Sequence, residues 1–204
     1  DGRAVNIMID GAPLYPEPAW ISAEKQIKTF FGDPIRVVFN DDRHCCISPV
    51  SETVKEELVA LLEQRGATPC AAPLTRPGFA FMFGLGLGHH IPEMIARDVA
   101  AHLFIFEPVV DFLVHSMSTV DWTAIFETAK RQGNRIHIVT SADPIAVDAA
   151  LQRAFVFDSS VFFLEGSLFY DHYDSDLLKT VKKAVIDTVS PRFTSTGFFE
   201  DEVT

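Results

Sequence analysis

Cysteine is scarce in this chain, basic residues are outnumbered, and long apolar runs are missing; each shortage removes a class of function. Three cysteines in 204 residues, two of them adjacent at Cys45 and Cys46, make a poor disulfide framework. There is also no Asn-x-Ser/Thr sequon, so the expected compartment is the reducing cytoplasm. His44-Cys45-Cys46 offers soft ligands, but no second Cys/His pair stands at zinc spacing, and these read as buried or edge cysteines. Nothing approaches the roughly 20 apolar residues of a membrane span, and no basic-then-apolar leader opens the chain. Seventeen Lys and Arg face 28 Asp and Glu, a formal charge of −11, and no basic cluster is longer than Lys182-Lys183. Such a chain repels phosphate backbones and anionic lipid, so neither nucleic acid nor a membrane is an expected partner. Gly-x-Ser-x-Gly, His-Glu-x-x-His and the P-loop pattern are absent, which leaves acyl transfer, zinc proteolysis and P-loop chemistry unsupported.

What is present is apolar, and it alternates. Hydrophobic residues make up 48% of the chain, enough for one core or one core with a small appendage. Asn6-Ile-Met-Ile9, the turn pair Asp10-Gly11 and Ala12-Pro-Leu-Tyr15 read as a hairpin. Trp20, Ala23, Ile27, Phe30 and Phe31 recur at helical spacing up to Gly32, and Ile35 to Phe39 reads as a strand. After a turn at Asn40-Asp-Asp42, Val54, Leu58, Leu61 and Leu62 mark a second helix, capped by Ser51 or Thr53 and closed by Gly66. Pro69, Pro73 and Pro77 then interrupt the pattern.

From Phe79 onward strands and helices follow one another. Strands are expected at Phe79 to Phe83, Leu103 to Phe106, Arg135 to Thr140 and Val161 to Leu164. Helices are expected with Pro92 near the first turn and Ile91, Ile95 and Val99 on one face, as two short pieces ending with one from Asp121 to Gly133, from Asp143-Pro144 to about Phe155, and after Asp174 or Ser175. The fold class is therefore α/β: a Rossmann-like, mostly parallel sheet with helices on both faces, preceded by a small α+β segment. The expected division is 1–68 for that segment, 69–78 for a proline-rich connection, 79–189 for the Rossmann-like domain, and 190–204 for a tail or linker to a following domain.

The most telling stretch is Phe79-Ala-Phe-Met-Phe83 breaking into Gly84-Leu-Gly86-Leu-Gly88-His-His90, with Phe106-Glu107-Pro108 ending the next strand. Alternating glycines at a strand-to-helix turn let backbone approach a ligand, and the acidic residue stands where ribose hydroxyls are held in such sheets. The third glycine of Gly-x-Gly-x-x-Gly would fall on His89, which argues against NAD or FAD and favours an S-adenosylmethionine-type loop. Gly84, Gly86, Gly88, His90 and Glu107 are thus the candidate cofactor-binding residues, and no catalytic residue is assigned. The competing reading is a tight turn whose glycines serve the backbone alone.

Asp174-Ser-Asp176 has the Asp-x-Asp form with which many sugar-nucleotide transferases hold a divalent ion. Here it opens a helix rather than ending a strand, so it reads as cap and first-turn residues, and no metal site is expected. Phe193, Phe198 and Phe199 lie beyond Pro191 without a period to bury them, and they are expected to meet another domain or subunit.

Taken together, Gly-Arg-Ala-Val-Asn6, Leu14-Tyr15-Pro before an amphipathic helix, Gly84-Leu-Gly-Leu-Gly-His-His90 and Phe106-Glu107-Pro108 resemble the N-terminal domain of the motility-associated factor proteins, bacterial flagellin glycosyltransferases. Their loop commonly reads Gly-Leu-Gly-Leu-Gly-Tyr-His, so His90 fits and His89 departs. The resemblance implies a module whose following domain carries the transferase centre, moving a nonulosonic acid from its CMP-activated form to Ser or Thr of flagellin. That following domain is then the implied partner, with flagellin a further candidate and a homo-oligomer left open. No cofactor is required in this reading. The alternatives are an S-adenosylmethionine-dependent methyltransferase-like domain and a nucleotide-binding module without chemistry. A start without methionine, at Asp1-Gly-Arg, reads as part of a longer protein.

Overall fold

The computed structural model describes residues 6–9, 11–37, 49–67, 76–157 and 167–194. The expected turn at Asn40-Asp-Asp42, the two adjacent cysteines, Pro69 and Pro73, the strand at Val161 to Leu164, and Phe198 and Phe199 lie outside them.

A two-stranded hairpin opens the fold, β1 (Met8–Ile9) against β2 (Ala12–Pro13), turning where Gly11 takes φ 81°. Helix α1 (Ala19–Gly32) and strand β3 (Ile35–Val37) follow, then α2 (Pro49–Gln64). Helix α2 begins ahead of both residues expected to cap it. It closes as expected, with Gly66 at φ 70° and the Ala67 N–H reaching back to the Leu62 carbonyl. Leu58 and Leu61, expected to face inward, are 57% and 43% exposed, because α2 makes only marginal contact with other elements among the described residues.

The remaining order is β4 (Phe79–Phe83), α3 (Ile91–Ala96), β5 (His102–Phe106), α4 (Val110–Thr119), α5 (Trp122–Gln132), β6 (Arg135–Val139), α6 (Pro144–Phe157), β7 (Ser167–Asp171) and α7 (Asp176–Thr194). Local chemistry sets several of these boundaries. The Asp121 carboxylate accepts the Ala124 N–H at the start of α5, and Gly133 closes it at φ 74°. Asp143 accepts the Ile145 N–H at the start of α6. At α7 the cap is Ser175, whose hydroxyl accepts the Leu178 N–H, while Asp174 and Asp176 both pair with Lys179 on the surface. Ser175→Ala should then cost about 1 kcal/mol, whereas Asp174→Ala should change the urea midpoint little, since exposed ion pairs contribute about 0–1 kcal/mol. Helix α7 also runs through Pro191 to Thr194.

Five strands form one sheet in the order β3-β7-β4-β5-β6, parallel except for β3, which runs antiparallel to β7. The first segment therefore contributes a strand to the same sheet as the rest of the chain. Among the parallel strands the chain steps outward from β4 to β5 to β6, then returns to set β7 on the other side of β4. That reversal is the topological switch point at which open α/β sheets bind ligands, beyond the carboxyl ends of the strands.

Both faces of the sheet are covered, which is why β4, β5 and β7 are almost wholly apolar. Residues two apart share a face. Phe79, Phe81, Phe83, Phe104, Phe106 and Phe169 meet Val147, Leu151 and Phe155 of α6 and Val181, Val185 and Val189 of α7. On the other face Met82, Leu103, Ile105 and Tyr170 pack with Ile91, Met94 and Ile95 of α3, Ile125 and Ala129 of α5, and Phe30 of α1.

Candidate functional site

The candidate residues converge on the switch point, as the loop after β4, the end of β5 and the residues after β7 require. Their surroundings differ from those of an open ligand cradle. Strand β4 ends because Gly84 takes φ 95°, and Gly86 and Gly88 follow at φ 51° and 77°. The glycines also make room for the chain itself. A Cβ on Gly84 would stand 2.6 Å from the Tyr173 ring, and one on Gly86 would stand 2.1 Å from the Tyr15 hydroxyl.

Glu107 is completely buried. Its Oε2 accepts the N–H groups of Leu85 and Gly86 at 2.8 and 3.2 Å. Its Oε1 accepts the Val109 N–H at 3.0 Å and the Tyr173 hydroxyl at 2.8 Å. One carboxylate thereby ties together the segments that follow β4, β5 and β7. These are the charge-assisted bonds a buried carboxylate needs, and all four donors come from the chain. Burial, then the Glu107 charge, drives the Tyr173 phenol pKa far up, so it stays a donor.

Tyr15 enters the crevice from the hairpin side. Its oxygen accepts the Leu87 N–H at 3.1 Å, so its own proton goes to His172 Nε2, 2.8 Å away. Burial raises the Tyr15 phenol to about 12, with the Leu87 N–H opposing and Glu107 adding to the rise. On the other side of the ring, Tyr170 donates to Gln26 Oε1 at 3.0 Å, which leaves its oxygen to receive the His172 Nδ1 proton at 3.4 Å. The network thus assigns a neutral His172. Burial first, then the His89 charge, holds its pKa down to about 3. The His172 backbone is fixed as well, its N–H donating to the Phe83 carbonyl and its carbonyl accepting from Gln26.

His90, expected at a helix mouth facing a ligand, is fully buried. Its ring lies 4.0 Å from that of His172, with Nε2 3.1 Å from the Met82 sulfur and Nδ1 without a hydrogen-bond partner among the described residues. Burial, then His172 and His89, keeps its pKa well below the usual value. The helix behind it is short: α3 spans six residues. His89 is the half-exposed member of the pair and borders an outer groove with Trp20, Glu24 and Arg97.

The structure therefore brings all five candidates together and adds three residues that sequence reading did not place there: Tyr15, His172 and Tyr173. Tyr15 and His172 stand 157 residues apart, and no local pattern connects them. His172 and Tyr173 belong to a stretch read only for its aspartates. A cavity of about 530 Å³ opens beside the network between hairpin and α4, lined by Leu87, Phe112 and Tyr173 among others. Gly84, Gly86, Gly88, His90 and Glu107 do not line it. Among the described residues no group of His, Cys, Asp or Glu is arranged to hold a metal ion.

Removing only the Tyr15 oxygen tests the plug. Tyr15→Phe leaves the Leu87 N–H and His172 Nε2 buried without their partner, and a loss of about 2 kcal/mol is expected from urea unfolding. An unchanged midpoint would mean that solvent or another group replaces the hydroxyl.

Fold and site together define a mostly parallel α/β module whose switch-point crevice is filled by its own side chains. Residues 1–193 match the glycosyltransferase Maf N-terminal domain, and the chain belongs to that family. In fold it is similar to the Maf glycosyltransferase from Magnetospirillum magneticum AMB-1, with a TM-score of 0.63 and 21% identity. The similarity covers 97% of this chain and 31% of that one, so the chain spans about a third of the larger protein's length. No curated protein matches it. Among the described residues, no helix is long and apolar enough to cross a membrane.

Proposed function

We propose that this chain is a non-catalytic, Rossmann-like N-terminal module of a Maf-type protein glycosyltransferase. Its parent enzyme transfers a nonulosonic acid to Ser or Thr of flagellin in the bacterial cytoplasm, and the module supplies a rigid platform for the transferase domain that follows. The observation that carries the non-catalytic reading is the state of Glu107. In a ligand-binding sheet that carboxylate faces ribose hydroxyls; here its two oxygens hold four donors of the chain and no face is left to solvent. The family membership supports the parent's class, and the switch-point topology supports an origin in a nucleotide-binding architecture.

The second reading is a nucleotide-like or S-adenosylmethionine ligand over Gly86 and Gly88, with Glu107 within hydrogen-bond reach. It is favoured by the switch-point position of those residues, and it requires Tyr15 and Tyr173 to leave. Calorimetric titration of the purified chain with S-adenosylmethionine, CMP and CMP-nonulosonate separates the two. No saturable heat is expected from any of them. Stoichiometric binding that disappears in Glu107→Gln would replace the platform by a binding module. Sugar transfer to flagellin by residues 1–204 alone would refute the non-catalytic reading.

A further inference from the structure

At the far edge of the sheet from β3, β6 has β5 on one side and no strand on the other among the described residues. The ladder shows which groups face outward. The Arg135 N–H donates to the Ala101 carbonyl, and the Glu107 N–H donates to the Val139 carbonyl. In a parallel ladder alternate residues use both backbone groups on the same side, so Arg135, His137 and Val139 face β5. Ile136 and Ile138 are left presenting their N–H and C=O outward. Nothing blunts this edge among the described residues: β6 contains no proline, glycine or carboxylate, and its charged side chain is basic.

A groove of about 620 Å³ runs beside the edge between β6 and α6, lined by Arg135, His137, Val139, Ala150 and Arg153. Neither arginine forms an ion pair among the described residues. The His137 ring is stacked on Phe104 at 4.3 Å and lies with Nε2 3.0 Å from His102 Nδ1. Burial, then His102 and Arg135, lowers its pKa to about 4, so near neutral pH the positive charge of the groove comes from the two guanidiniums. In a chain of net charge −11, a basic groove whose arginines form no ion pair among the described residues, alongside backbone donors and acceptors that no described strand pairs, is a local reversal of sign.

We propose that the outer edge of β6 receives an extended, carboxylate-bearing segment of a partner protein as an added strand. The partner's backbone pairs with Ile136 and Ile138, and its alternate acidic side chains enter the groove toward Arg135 and Arg153. Strand addition derives affinity from the ladder and specificity from pockets for every second side chain, and this edge offers both. The charge decides the partner's chemistry: a basic strand would bring like charges together, whereas an acidic one forms bidentate pairs with guanidinium groups.

The test uses the 204-residue chain and a labelled synthetic peptide of alternating glutamate and valine, with its lysine-for-glutamate counterpart as control. Saturable binding of the acidic peptide is expected, with slowed hydrogen exchange at the Ile136 and Ile138 amides and no binding of the basic one. Arg153→Glu, on the exposed side of α6, should weaken binding about tenfold or more while leaving the fold intact. Absence of saturable binding at millimolar acidic peptide would overturn the proposal. So would equal binding of the basic peptide, or binding without protection of those two amides. Sedimentation of the chain alone gives one more outcome. A self-associated dimer dissolved by Ile138→Pro, which removes an outward N–H from the edge, would make a second copy the occupant and overturn the acidic-partner assignment.

Discussion

Glu107→Ala is expected to remove about 4 kcal/mol or more of unfolding free energy, an effect reserved for broken buried networks. The substitution deletes the acceptor of four donors at once. Each buried donor left without a partner costs about 1–3 kcal/mol, so four of them sum to about 4–12 kcal/mol, and re-entering water moves the loss toward the lower end. Glu107→Gln should fall between wild type and Ala. It keeps one acceptor oxygen but turns an amide N–H₂ toward groups that themselves donate. The measurement is the urea midpoint with the slope unchanged, and a loss under about 1 kcal/mol, the value of an exposed pair, would contradict a buried clamp.

The second large effect is a loss of stability on mild acidification. A histidine with a folded-state pKa below its unfolded value binds a proton only on unfolding between the two values. Stability is then fully present above the unfolded pKa of 6.5 and declines as pH falls toward the folded one. For His172 the folded value is about 3, so the window runs from pH 6.5 down to about 3. Each pH unit inside it removes about 1.4 kcal/mol, or roughly 2–3 kcal/mol by pH 4.5 from this group alone. His90 and His137 shift in the same direction and steepen the decline. The structure says why the proton is refused. With a second N–H, His172 would direct a donor at the Tyr15 oxygen, which already accepts from Leu87, and Tyr15 would lose the acceptor for its own proton. Chemical denaturation at pH 7.5 and at pH 4.5 measures this, and His172→Gln should flatten the dependence. A midpoint constant across that range would show the rings to be solvated and freely titrating.

The fold was legible where chemistry is local. Asp121 and Gly133 bracket α5 because a carboxylate caps N–H groups and a glycine tolerates positive φ, and both acts involve neighbours in sequence. Strand β4 was legible because a five-residue apolar run ending in glycine leaves few alternatives. Strand β7 was not. Ser167-Leu-Phe-Tyr-Asp171 begins and ends on polar residues, and it is a strand because β3 and β4 pair with it on either side. The expected face of α2 failed for the same reason: Leu58 and Leu61 have helical spacing, but periodicity does not supply an element to cover them.

The contacts within the site were not legible. Glu107 follows the last residue of β5 and bonds the glycine loop. Its donors, apart from Val109, come from Leu85 and Gly86 in the β4 loop and from Tyr173, 66 residues on. Glycines that admit a ligand and glycines that admit a tyrosine ring look alike in sequence. A Cβ on Gly84 or Gly86 would fall against the chain's own Tyr173 or Tyr15.

Native-state hydrogen exchange at the Leu85, Gly86 and Leu87 amides tests the filled crevice most directly. These N–H groups are donors to Glu107 and Tyr15 in the free chain. They should exchange as slowly as the buried amides of β4, through global unfolding alone, and S-adenosylmethionine or CMP should not slow them further. Fast exchange of all three in the free chain, slowed on adding either ligand, would show an open loop waiting for its ligand and would contradict the account.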